Sequence, residues 1–308
     1  MIRKPQELDF SEKNIIMIVA GLPGVGKTTL ALSAPGVLLI DADEGLARVN
    51  PEHRRDASVC KNYEELLADI EAAKGQYKTI VIDTCGALID MLKDWAMRTE
   101  PATAKKKSGG ISMQGFGIVK SEFIRLSAQL RKDFNVIYLF HAQKDKTDDG
   151  VFYDIIAEGS AKNIVWQPAD LGAFLHIVNG ERYLGFSPTE QYNAKAAYGI
   201  KGLVRVPELK DGEPNNFLEK LFAQVKSNLR ADIEKYAPER EKYEAAIKSG
   251  NTIIAEIDGA EDIAPAKEAL AKISHALTSK DELAAKLKAR IAELGLKYNR
   301  TTKSYEQA

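Results

Sequence analysis

The segment Ile15-Ile-Met-Ile-Val-Ala-Gly-Leu-Pro-Gly-Val-Gly-Lys-Thr-Thr29 joins an unbroken apolar run to a glycine-rich loop. Residues 15–20 (IIMIVA) are apolar on both faces of an extended chain, the pattern of a strand buried inside a parallel sheet. The loop after it fits G-x-x-x-x-G-K-[ST] at every fixed position. Residues 27–33 then read as a helix that Ala34-Pro35-Gly36 stops. Strand, glycine loop and helix in that order make a phosphate cradle. The glycines let backbone N–H groups approach an anion closely, and the helix turns its positive end toward it.

This spacing predicts a nucleoside triphosphate site for ATP and Mg²⁺. Gly21, Gly24, Val25 and Gly26 supply the wrapping backbone. Lys27 reaches the β- and γ-phosphates, the Thr28 hydroxyl ligates Mg²⁺, and Thr29 supports the α-phosphate side. Residues 79–83 (TIVID) form another buried strand, and its terminal Asp83 is the expected second Mg²⁺ residue, acting through water. Thr84 follows Asp83, so the Asp-Glu pair of AAA+ machines is missing at this point. The base that activates water must then come from another strand. Residues 37–45 (VLLIDADEG) end in Asp41, Asp43 and Glu44. Glu44 is the preferred base with Asp43 second, the alternative for Glu44 being a helix cap.

Further along, strands and amphipathic helices alternate through residues 136–140 (VIYLF), as in a parallel, doubly wound sheet. Residues 101–117 read as a loop with four glycines and three consecutive lysines, followed by a helix over 118–132. The dipeptides Asp149-Gly150 and Asn179-Gly180 signal hairpins, so antiparallel strands extend the parallel core. Beyond Pro207 the composition becomes Glu/Lys/Ala/Leu-rich and helical, with a break expected near Pro238. These observations place a core domain at 1–207 and a helical region at 208–308.

The bulk composition is that of a globular chain: 308 residues, 44% hydrophobic and 28% charged, with a net charge of -1. That balance excludes a polycation, so any nucleic acid must bind at a local patch. Cys60 and Cys85 have no metal-site spacing and make no disulfide framework, which fits a reducing, cytoplasmic setting. The first ten residues lack the apolar stretch of a signal peptide, and no run approaches the ~20 apolar residues of a membrane span.

From the glycine loop to about residue 200 the chain resembles RecA-like ATPases. IDADEG looks like that family's strand ending in a catalytic glutamate, with one extra acid, which leaves the base open between Asp43 and Glu44. VIDTCGAL looks like its Mg²⁺-binding strand and the helix after it. VIYLFHAQK resembles the strand that ends in a γ-phosphate-sensing glutamine. Gln143 fits that place, and His141 is a second candidate nearer the strand end. EGSAKNIVWQPAD resembles the segment after the family's second DNA-binding loop. More narrowly, GLPGVGKTTLA and RYLGFSPTEQYNAKAAYG are similar to short RecA-like ATPases of phages and prophages, single-strand annealing proteins among them.

The resemblance implies an α/β P-loop NTPase fold of the RecA-like kind: a mostly parallel twisted sheet flanked by helices, an antiparallel extension and a helical C-terminal region. It implies ATP hydrolysis to ADP and phosphate, a homo-oligomer, and action on single-stranded DNA in recombination or repair, with a single-strand-binding protein as a possible companion. The DNA loops fall at 101–117 and 144–162. They offer Lys105, Lys106 and Lys107 for phosphates, Phe116 for stacking on a base, and Lys144 and Lys146 in the second loop. Residue types alone favour a solvated lysine cluster with Phe116 packed in the core, and the match in loop position brings the DNA reading level with it. NAKA resembles a lysine-bearing strand that reaches a neighbouring subunit's ATP, which makes Lys195 a candidate acting in trans. Two other functions fit the same motifs: a nucleotide-driven switch acting on proteins, and a DNA-binding module that holds ATP without hydrolysing it.

Overall fold

A computed structural model describes residues 9–147, 150–157, 160–210, 212–299, 302 and 304–307. The apolar run becomes β1 (Ile16–Gly21), buried along its whole length. The chain continues through α1 (Lys27–Ala31), β2 (Val37–Asp41), the short β3 (Ala57–Ser58), α2 (Tyr63–Ala73), β4 (Thr79–Asp83) and α3 (Cys85–Thr99). Then come α4 (Pro101–Ala104), α5 (Met113–Asp133), β5 (Asn135–Thr147), β6 (Gly150–Ile155) and α6 (Ala161–Trp166). The strands β7 (Leu171–Val178), β8 (Glu181–Gly185) and β9 (Leu203–Val206) complete this part.

Among the described residues the main sheet has nine strands, ordered β3-β2-β4-β5-β1-β7-β8-β9, with β6 paired to the far end of β5. From β3 to β7 every pairing is parallel, and β7-β8-β9 is antiparallel. Strand alternation gives each face its own set of side chains. Ile16, Ile18, Ile40, Ile82, Tyr138 and Phe140 pack with Leu66, Leu88, Leu92, Phe123 and Leu126 from α2, α3 and α5. Met17, Val19, Leu39, Val81, Ile137 and Leu139 alternate with them and are fully buried on the other face. A sheet covered on both sides explains why its strands read as continuous apolar runs.

Local chemistry sets the element ends. The Asn62 side chain accepts the Glu65 N–H at 2.9 Å and starts α2 as the sequence suggests. Asn179 and Gly180 both have positive φ, as a two-residue hairpin turn requires, and they join β7 to β8. The helix expected at 118–132 begins at Met113, because Ser112 accepts the Gly115 N–H at 2.9 Å and caps it. Phe116 therefore sits on a helix rather than in a loop. The expected loop at 144–162 is largely the β5-β6 hairpin, and of the hairpin dipeptide Asp149-Gly150 the aspartate lies outside the described residues, as do Glu158 and Gly159.

The chain divides into two units, Ser11–Asn228 and a second containing Leu229–Ala308. The division falls beyond the expected 207/208 boundary because α7 (Phe217–Ala255) starts inside the first unit. Leu218, Phe222 and Val225 are buried there, and the Leu218 N–H donates to Ser33 Oγ at 2.9 Å. Pro238 lies within α7 instead of breaking it. The carbonyl that Pro238 leaves without an N–H partner falls among residues with exposed side chains. The second unit has its own core, in which Ile254, Ile263, Leu270, Leu283, Leu287 and Ile291 join the end of α7 to α8 (Ile263–Ala271) and α9 (Ser279–Glu293). A hairpin of β10 (Leu296–Asn299) and β11 (Ser304–Gln307) follows, in a region expected to be helical throughout. Among the described residues no helix is long and apolar enough to cross a membrane.

Gly21 ends β1 beside β7, and a Cβ there would lie 2.6 Å from the Leu175 carbonyl oxygen. Gly21→Ala is expected to cost about 1–3 kcal/mol by forcing these strands apart. A denaturant titration showing an unchanged midpoint would remove that constraint.

Candidate functional site

Parallel strands deliver their C-terminal ends to one edge of the sheet, where α/β folds place their ligands. At that edge the loop after β1 meets the end of β4 and the middle of β5. Gly24 and Gly26 have φ of 81° and 92°, conformations open to glycine but costly for other residues. Lys27 is buried, and its ammonium donates to the Gly21 and Leu22 carbonyls, both at 3.0 Å. Burial holds the Lys27 pKa below its ordinary value, against the opposing pull of Asp83 and Asp43. The lysine thus sits in a dry position close to charges that favour its ionised form.

Thr28 Oγ1 donates to Asp83 Oδ2 at 2.6 Å. Asp83 is buried, and burial raises its pKa; the bond from Thr28 opposes that shift, Asp41 and Asp43 add to it, and Lys27 lowers it. The hydroxyl and the carboxylate form the donor pair a Mg²⁺ ion needs from protein, the ion taking its other ligands from phosphate and water. No cluster of three or more His, Cys, Asp or Glu that could hold a metal occurs among the described residues. The pair fits a cation bound together with nucleotide rather than alone.

The end of β2 settles how the three acids are placed. Asp41 accepts the N–H groups of Gly45 at 2.7 Å and Leu46 at 3.1 Å, so it organises the turn. The Asp43 N–H donates to the Asp83 carbonyl at 3.0 Å, which pins Asp43 beside β4. Glu44 then takes a positive φ of 49° and is exposed. Asp43, together with Lys27, Thr28, Thr29, Asp83 and His141, lines a cleft of about 460 Å³, whereas Glu44 does not. The structure thus brings the second-choice acid to the phosphate loop and turns the first choice away.

His141 lies opposite Gly21 in the β1-β5 register. Its Nδ1 is 3.3 Å from Lys27 Nζ and its Nε2 is 3.5 Å from Asp43 Oδ2. The imidazole therefore bridges the lysine and the acid. Gln143 is exposed, points its amide at Asp145 (3.3 Å), and is not part of the cleft. Sequence reasoning missed Arg48, whose guanidinium stands 3.6 Å from Asp43 Oδ2 and lines the cleft from a 3-10 turn after β2. No motif flags an arginine in that turn.

The remaining candidates lie elsewhere in the same unit. Lys105, Lys106 and Lys107 are exposed on a small turn closed by the Lys105–Ile111 bridge. Met113 is 81% exposed and Phe116 36%, so these large apolar groups face solvent near the lysines. Lys93 Nζ stands 5.8 Å from the Phe116 ring centroid. Lys144 and Lys146 are exposed on the β5-β6 hairpin. Lys195 donates to the Trp166 and Gln167 carbonyls at 3.3 and 2.9 Å, so its ammonium serves the end of α6.

Asp83→Asn removes one charge from the Thr28–Asp83 pair and keeps the side-chain shape. In thermal unfolding, added ATP is expected to stabilise the wild-type chain more with Mg²⁺ than without, and the Asn variant equally in both. A variant that keeps the full Mg²⁺ effect would take Asp83 off the cation.

Residues 13–198 match the family described as AAA domain, a span of more than half the chain. No match to a curated protein is found. The match covers the phosphate loop, β4 with Asp83 and β5 with His141, the elements that build the cleft. The chain therefore belongs to the AAA-domain family of P-loop ATPases.

Proposed function

We propose that this protein is a Mg²⁺-dependent ATPase with a RecA-like core that acts on single-stranded DNA in recombination or repair, through annealing or strand exchange. The observation that carries the ATPase part is the convergence of Lys27, the Thr28–Asp83 pair and Asp43 in one cleft. The RecA-like part is supported by the antiparallel β7-β8-β9 extension of the parallel sheet and by the strand-end residues around His141. The DNA part is supported by the exposed Lys105–Lys107 turn beside solvent-facing Met113 and Phe116, a combination suited to phosphates and unpaired bases. Assembly into a homo-oligomer belongs to the same reading.

The chain's own groups divide the work. When bound, ATP would supply the phosphoryl group, and a Mg²⁺ ion held by Thr28 and Asp83 would neutralise charge on the phosphate oxygens. Lys27 exchanges its two backbone carbonyl partners for those oxygens and stabilises the charge that builds on them. Asp43, held between His141 and Arg48, orients the attacking water by accepting its proton. His141 touches both Lys27 and Asp43, so a change at the terminal phosphate reaches the acid through it.

Two experiments test the reading. Asp43→Asn is expected to reduce turnover by roughly 10²-fold or more and keep ATP affinity, while Glu44→Gln stays within a few-fold of wild type. The reverse pattern would return the base to Glu44. Single-stranded DNA is expected to stimulate phosphate release, and Lys105, Lys106 and Lys107 changed together to Ala to weaken DNA binding and lower its salt dependence. Turnover indifferent to DNA would favour a switch acting on protein partners.

A further inference from the structure

Arginines in this chain find carboxylates, as Arg98 does with Glu64 and Arg205 with Glu181, or backbone carbonyls, as Arg54 and Arg131 do. Arg182 on β8 is the exception among the described residues: it is half-buried and has neither an ion pair nor a hydrogen bond there. Its neighbour in the same hairpin, Arg205, takes the nearby Glu181. A cation partly shielded from water interacts more strongly with an incoming anion than a fully solvated one does.

The sheet fixes where that charge stands. Arg182 lies opposite Ile177 on β7 and Val206 on β9, so the three side chains leave the sheet on one face. β7 runs parallel to β1 with Phe174 opposite Ala20, and Ile177 is further along. Arg182 is therefore level with the phosphate loop and not with β1 itself. A seam of about 30 Å³, too small for a ligand, separates it from Leu30 of α1, Pro207 and Phe217. Apolar neighbours of that kind suit the stem of an arginine and not its charged head. The head lies on the loop: a Cβ added to Gly26 would be 2.7 Å from Arg182 Nη1. Gly26 thus needs to be glycine twice over, for its φ of 92° and for the guanidinium beside it.

We propose that Arg182 is a phosphate-binding residue whose guanidinium donates to the α- and β-phosphates of the nucleotide held by the loop. The backbone of such a loop cradles these two phosphates, while its lysine reaches toward the third. Arg182 touches that backbone at Gly26, yet it is not among the residues lining the cleft with Asp43, Asp83 and His141, where the terminal phosphate and its cation belong. A planar fork of N–H donors matches two phosphate oxygens, and the phosphates supply the counter-charge that the chain itself withholds. Lys195, the cation expected from the sequence to arrive from a neighbouring subunit, is committed to the Trp166 and Gln167 carbonyls. Arg182 brings a cation to the loop from the same chain. The proposal deepens the ATPase reading and rests on it.

The test measures, by calorimetry on the full chain, the affinities of the magnesium complexes of a non-hydrolysable ATP analogue, ADP and tripolyphosphate. Wild type is expected to bind all three. Arg182→Ala is expected to weaken each by about tenfold or more, because every one of them carries the phosphates in question. An unfolding midpoint close to wild type without ligand shows that the variant is folded. Should Arg182→Ala not fold, Arg182→Gln, which keeps much of the stem and removes the charge, carries the same expectation. Unchanged affinities overturn the proposal. So does a loss that spares ADP, which puts the guanidinium on the terminal phosphate, and so does a loss that spares tripolyphosphate, which puts it on ribose or base. A wild type that binds none of the three overturns the phosphate-loop reading along with this one.

Discussion

The hydrogen bond between Thr28 and Asp83 spans two strands that are not neighbours. β5 lies between β1 and β4, so the loop that follows β1 and the acid that ends β4 meet only if β1 and β4 end near the same level along β5. The register provides this: Gly21 stands opposite His141, and Ile82 opposite Tyr138. A slip of one residue would turn every buried side chain to the other face, so the apolar core on both sides of the sheet fixes the register. Burial far from the site thus holds the Thr28 hydroxyl 2.6 Å from its acid. The site is accurate because the core is apolar and two-sided.

Electrostatics work against that geometry until a ligand arrives. Asp41, Asp43 and Asp83 crowd one strand edge, and burial together with its neighbours raises the Asp83 pKa. Lys27 is buried beside them with a lowered pKa, satisfied by two backbone carbonyls. Charges in this state are poorly solvated, so they interact strongly with incoming phosphate and cation. His141, in reach of both Lys27 and Asp43, turns the cluster into one connected network rather than separate pairs.

How much of this could be read from the residues depends on how local the cause is. The phosphate loop, the buried strands and Asp83 were legible because strand burial and the glycine spacing are written within a few residues. That Asp43 and not Glu44 lines the cleft was not, since that placement depends on Asp41 accepting the Gly45 N–H and on a backbone bond from Asp43 to β4. Which of the two candidates, Gln143 or His141, reaches the cleft was hidden for a related reason: β5 continues past the sheet edge into a hairpin, so residue 143 has already left the cleft. The early start of α5 turned on one capping serine inside a glycine-rich stretch. Arg48 and Arg182 carry no motif at all, and only the fold brings them to the loop.

The phosphate-loop helix also depends on chain far beyond it. α1 has only five residues, too few to hold itself in water. Its carbonyls and the residues after it find partners late in the sequence: Asn215 donates to Thr29, and the Leu218 and Glu219 N–H groups donate to Ser33. Leu218 and Phe222 bury their side chains within the same unit. A boundary drawn at 207, where the composition changes, would cut these bonds and leave the helix that presents Lys27 and Thr28 without its support. Composition marks where the sequence changes character, whereas the folding unit ends where the last side chain needed by the phosphate loop has been supplied.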